Sequence, residues 1–106
     1  MVALLLLFAL GPGMRSKAEK LGDQFAPAHK AAKGFKAETF LVDDIAGEYG
    51  SLTLWESKGD IEAFRKAAGP QLAKALSGIA KRPPSTRLFE VYTPKSNDQS
   101  ARRKEF

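Results

Sequence analysis

Few residues of this chain can do chemistry. His29 is the one histidine, Trp55 the one tryptophan, and cysteine is absent. Thiolate metal sites and Cys-His dyads are excluded, and a lone imidazole cannot carry a metal site, so no metal is expected. A Ser-His-Asp arrangement through His29 has no nucleophile-elbow motif behind it. Gly11-Pro12-Gly13 lacks the later glycines and the lysine of a phosphate loop, which leaves phosphoryl transfer without support. What remains is Ser51, Thr53 and Trp55, alternate positions that share one face of an expected strand because strand side chains alternate with period two. Two hydroxyls beside an indole suit an aromatic ligand held by a few oriented groups, while an indole at a strand end also packs as core beneath a helix. Phe25 and Tyr92 carry the same two readings. His29 reads either as a residue close to helix C-terminal carbonyls or as a base at a pocket mouth. The candidate ligand-binding set is therefore Trp55, Ser51, Thr53, Phe25, His29 and Tyr92, with no catalytic residue assigned.

The elements that position these residues follow from hydrophobic period. Val2 to Leu10 (VALLLLFAL) is apolar at both alternating parities, the pattern of a central strand covered on two faces, and stops at Gly11-Pro12-Gly13. No Lys or Arg precedes it and Gly-Pro follows it, so it is not expected to be a secretory leader, and it is too short to span a bilayer. From Met14 the period is helical, with Met14, Ala18, Leu21, Phe25 and Ala28 on one stripe. Pro27 is expected to break or kink the last turns, and Gly34 to follow the helix C-terminus. Phe35 to Val42 and Tyr49 to Trp55 read as a hairpin around Asp43–Gly47. In its first strand Phe35, Ala37, Thr39 and Leu41 alternate with Lys36, Glu38, Phe40 and Val42. Ser57 and Asp60 resemble a capping box opening a second helix, whose stripe is Ile61, Phe64, Ala68, Leu72, Leu76 and Ile79. A break is expected at Gly69-Pro70, an end at Pro83-Pro84, and a last strand over Leu88 to Tyr92.

This order predicts an α+β fold, the ferredoxin-like βαββαβ pattern with a four-stranded antiparallel sheet and both helices on one face. The doubly apolar first strand needs cover on its other face as well, and two such sheets packed face to face would give an isologous homodimer. At 106 residues the chain is one small domain, assigned to residues 1–94, with 95–106 as a flexible basic tail. Seventeen Lys and Arg against twelve Asp and Glu give +5, and the tail from Lys95 contributes +2 of it. The rest of the charge is scattered, so no specific nucleic-acid partner and no membrane partner is expected. An RNA-recognition motif shares the element order, but against its third-strand signature only Tyr49, Gly50 and Leu52 match. A cytoplasmic location is expected.

Gly34-Phe35 opening the second strand, Gly47-Glu48-Tyr49-Gly50 opening the third and Trp55-Glu56-Ser57 leading into the second helix resemble the antibiotic-biosynthesis-monooxygenase-like family of dimeric α+β barrels. The resemblance runs over about residues 2 to 93. It implies a ferredoxin-like homodimer with a pocket between sheet and helices in each protomer. Some relatives oxidise polycyclic phenols to quinones with oxygen and without metal or flavin; others degrade haem. The haem-degrading members pair a first-strand Asn and the third-strand Trp with a second-helix His, whose place falls near Arg65 here, and the only Asn of this chain is Asn97. The quinone-forming members carry an Asn at the position of Ser51, which can still donate one hydrogen bond to a developing anion. The implied activity is a cofactor-independent monooxygenase, an oxidoreductase for a small aromatic or quinol-like substrate. The alternative is a non-catalytic ligand-binding or structural homodimer of the same fold.

Overall fold

The computed structural model describes residues 1–94, so the expected tail, and Asn97 within it, lie outside the described residues. Six elements follow in the order β1 (Val2–Ala9), α1 (Arg15–Ala31), β2 (Phe35–Asp43), β3 (Glu48–Trp55), α2 (Lys58–Leu76) and β4 (Ser85–Glu90). They form a four-stranded sheet in the order β2-β3-β1-β4, antiparallel at every pairing. Both helices cover one face, which is the ferredoxin-like α+β architecture expected. The apolar run at the start is spent on β1, the central strand bonded on both edges. No helix among the described residues is long and apolar enough to cross a membrane.

Three expectations require correction. The last strand is Ser85–Glu90, not Leu88–Tyr92. β1 presents backbone partners from Leu7 back to Val2, so pairing begins directly after Pro84 and closes with Val91 N–H donating to Met1 O at 3.0 Å. The second helix runs unbroken through Gly69-Pro70, and α1 likewise runs through Pro27. Each proline frees the carbonyl four residues before it, at Lys66 and Asp23, and these residues and both prolines are exposed, so water can replace the lost bond. The stripes also shift. Ala28 is exposed, the buried set Ala18, Leu21 and Phe25 continues to half-buried His29, and Ile79 lies beyond the end of α2. Ser57 does cap α2, accepting from Asp60 N at 3.2 Å, while its hydroxyl donates to the Asp60 carboxylate at 2.9 Å.

A β-bulge between Phe35 and Ala37 changes the parity of β2. Phe35 lies opposite Trp55, and past the bulge Glu38 lies opposite Thr53 and Phe40 opposite Ser51, so all three join the helix-covered face. Lys36, at the bulge, turns to solvent and pairs with Glu56 at 2.8 Å.

At the opposite end of the sheet Tyr49 ties the loops to the strands. Its hydroxyl accepts from Met14 N at 3.0 Å and shares its own proton between Gly11 O at 3.0 Å and Asp44 Oδ1 at 2.6 Å. Gly47 packs beside it with φ +77°, where a Cβ would run into the Gly11 and Pro12 backbone. Burial raises the Tyr49 phenol above its ordinary value, and the bond to Asp44 raises it further. The folded state therefore holds this proton more tightly than the unfolded chain does. Its contribution to stability is complete below about pH 10 and is lost as pH climbs from there through the raised folded value. Urea titrations are expected to show a loss of stability above about pH 10 that Tyr49→Phe reduces.

The helix-free face of the sheet carries Leu5 and Leu7 of β1, Leu52 and Leu54 of β3, Leu41 of β2 and Phe89 of β4. Nothing among the described residues covers it. Leu52 retains 37% of its surface and Phe89 38%, with the Arg87 guanidinium 4.9 Å above the Phe89 ring.

Candidate functional site

Between the sheet and the two helices lies a cavity of about 510 Å³, within the range of small-molecule sites. Its walls follow from the alternation already described. Leu4, Leu6 and Phe8 of β1 and Phe40 of β2 supply the apolar floor, and Leu21 and Phe25 of α1 with Phe64 and Leu72 of α2 supply the roof. Gly22 belongs to the roof because the Phe40 ring approaches it, and a Cβ there would stand 3.0 Å from that ring.

Polar groups are few and gathered. Ser51 and Thr53 project from β3, Thr86 from β4, Glu38 from β2, His29 from α1 and Arg65 from α2. Ser51 is buried, and among the described residues its hydroxyl makes no hydrogen bond, an uncommon state for a buried hydroxyl that lines a cavity. Thr53 Oγ1 is committed: it accepts from Trp55 Nε1 at 2.8 Å and donates to Leu4 O at 3.4 Å. The side chain of His29 keeps 15% of its surface and that of Glu38 19%. His29 Nδ1 lies 3.0 Å from Phe25 O, which as a carbonyl can only accept, so Nδ1 carries a proton, and it lies 3.9 Å from Glu38 Oε2. The imidazole stands in an aromatic nest, with ring centroids at 4.4 Å from Phe64, 5.7 Å from Phe35 and 6.2 Å from Trp55.

Of the six candidates taken from the sequence, Ser51, Thr53, Phe25 and His29 meet at this cavity. The other two do not reach its surface. Trp55 is wholly buried behind the wall, in contact with Phe35 and Phe64, so its placement follows the core reading. Tyr92 lies past the end of β4 with 79% of its surface exposed, because the strand closes two residues earlier than expected. Reasoning from the sequence misses Glu38 and Arg65 as cavity residues. The signal for Glu38 is its parity with Phe40, two residues on in the same strand. The signal for His29 is its place four residues after Phe25, which continues the buried stripe where Ala28 does not.

No family model matches the chain, and no curated protein matches it. Solved structures do. A variant of SnoaB, a cofactor-independent oxygenase from Streptomyces nogalater, superposes with a TM-score of 0.73 at 18% identity, over 90% of this chain and 96% of that one. An antibiotic biosynthesis monooxygenase gives 0.72 at 10% identity, over 88% and 100%. A variant of MhuD, solved with two manganese protoporphyrin IX molecules per active site, gives 0.66 at 26% identity, over 89% and 97%. The chain thus has the fold of the antibiotic biosynthesis monooxygenase proteins, the resemblance read from its sequence.

Proposed function

We propose that this chain is a cofactor-independent monooxygenase acting on a small aromatic or quinol-like substrate, working as a homodimer in the cytoplasm. The observation that carries this reading is the cavity: mostly apolar, lying between sheet and helices, with a buried Ser51 hydroxyl that is unpartnered among the described residues and an imidazole and a carboxylate on its walls. An aromatic ring fits the Phe25, Phe40 and Phe64 surfaces, and its hydroxyl finds the polar row. Such a substrate supplies its own electrons: a phenol and dioxygen give a quinone and water, with both oxygen atoms accounted for. The cavity's part is to hold the ring, favour its phenolate and keep water from the carbanion-like intermediate. The neighbour SnoaB, by its description a cofactor-independent oxygenase, supports the same class. The homodimer is supported by the uncovered leucines of the outer sheet face.

The test is a panel of polycyclic phenols and quinols, scored for thermal stabilisation and then for oxygen uptake without added metal or flavin. A ligand that binds only the folded state raises its melting temperature. Stabilisation by members of the panel with matching oxygen consumption is expected. Stabilisation without turnover would make the protein the non-catalytic binder instead, and no stabilisation by any member would remove the aromatic-site reading altogether.

A further inference from the structure

We propose that His29 and Glu38 form the proton-accepting pair of the cavity: His29 Nε2 takes the proton from a phenolic or enolic hydroxyl of the ligand, and Glu38, close to the other ring nitrogen, stabilises the imidazolium that forms. The assignment rests on the aromatic-ligand reading above and adds residues and a step to it.

The geometry has three parts. With Nδ1–H donating to Phe25 O at 3.0 Å, a neutral imidazole has its lone pair on Nε2, and among the described residues Nε2 has no hydrogen-bond partner. Glu38 Oε2 stands 3.9 Å from the same Nδ1. A carbonyl that orients one nitrogen, a carboxylate near it to meet the positive charge, and the other nitrogen free is an arrangement that lets a histidine act as a general base. Third, nothing else among the described residues explains this carboxylate. Among the described residues it makes no hydrogen bond, although four-fifths of its side chain is removed from water.

The proton balance is simple. The ligand O–H bond breaks and Nε2–H forms, leaving a phenolate and an imidazolium. The imidazolium meets the Glu38 carboxylate and the tilted rings of Phe64 and Phe35, with centroids at 4.4 and 5.7 Å. The phenolate meets Ser51, the buried hydroxyl still free to donate. The other charged side chain on the cavity wall is Arg65, from α2, which reinforces an anion in the cavity; β1 and β3 contribute no charged group to the wall.

The probe is para-nitrophenol, whose neutral and ionised forms absorb at different wavelengths. It is titrated into the protein at a pH where the free probe is mostly neutral. Bound to the unaltered protein it is expected to shift toward the phenolate, raising the phenolate-to-phenol ratio about tenfold, one unit in apparent pKa. His29→Gln is expected to bind the probe as the phenol, and Glu38→Gln to give a smaller ionised fraction than the unaltered protein. Melting curves and Trp55 fluorescence establish folding, and if His29→Gln does not fold, Glu38→Gln carries the same spectral readout. An equal ionised fraction in the unaltered protein and a folded variant overturns the pair and leaves the aromatic site standing. No binding of the probe to the unaltered protein overturns the aromatic site and the pair with it. A Soret shift of added iron protoporphyrin that His29→Gln abolishes would also overturn the assignment, since Nε2 would then be a metal ligand.

Discussion

Trp55→Ala is expected to cost about 3–5 kcal/mol of stability, the range for truncating a large buried aromatic. Trp55 has 0% of its surface exposed and is the largest of the fully buried side chains. It is held from three sides, by the edge of Phe35 at 5.5 Å, by Phe64 at 5.2 Å and by His29 at 6.2 Å between centroids. Its Nε1 satisfies Thr53 Oγ1 at 2.8 Å. The alanine leaves a void that strands at the sheet's centre cannot close, and it withdraws the donor from a hydroxyl only 2% exposed. A domain of this size has only about 5–15 kcal/mol in total, so the melting temperature should fall by at least about 10 °C. Urea unfolding followed by circular dichroism checks the value. A loss below about 1 kcal/mol would place the indole in the cavity wall instead of the core. Trp55→Phe, which keeps most of the ring contacts and loses the Nε1 donor, should lie between. Because Trp55 also backs the imidazole of His29, the alanine variant should loosen that ring, so ligand effects are better read in His29→Gln than here.

The parity of β3 explains why much of the site is legible in the sequence. Ser51, Thr53 and Trp55 fall on the helix side and Leu52 and Leu54 on the open side because the strand is regular from Glu48 to Trp55 and period two holds throughout. β2 is not regular. The bulge after Phe35 puts an aromatic from one parity and Glu38 and Phe40 from the other onto the same face, an outcome that strict alternation cannot express. Hence the cavity carboxylate is hidden from a reading by alternation. The helix through Pro70 shows the limit of a local rule: proline removes a bond, but on an exposed stretch packed through Ala68, Leu72 and Leu76 the turn survives without it. Tyr92 falls outside the strand because a sheet edge ends where its partner ends, and β1 begins at Val2, a fact about pairing that the β4 residues do not contain.

Leu52→Glu is expected to leave the fold intact and to convert a homodimer into a monomer. Leu52 lies at the middle of the outer sheet face, opposite Leu5 on β1 and Thr39 on β2, with 37% of its surface open in the single chain. In that chain a glutamate at the same place can turn its carboxylate to water, so melting of the isolated protomer should change by less than about 1 kcal/mol. In a face-to-face pair the situation differs twice over. An isologous contact buries the substituted residue from both protomers, so two carboxylates enter an apolar layer of leucines, without a basic group from the centre of that face to meet them. Arg87 stands at the β4 rim with its guanidinium already over Phe89, and the register places it opposite Leu5, two strands away from Leu52. Unpaired burial of a charge costs several kcal/mol, and about 4 kcal/mol is already a thousandfold in dissociation constant. Light scattering across a concentration series decides the matter: the unaltered protein should hold the mass of two chains where Leu52→Glu holds that of one. A monomer mass for the unaltered protein at every concentration would remove the dimer, and a Leu52→Glu dimer would move the interface to another surface. Because the cavity opens on the far side of the sheet from these leucines, the monomeric variant should still bind para-nitrophenol, which separates assembly from recognition.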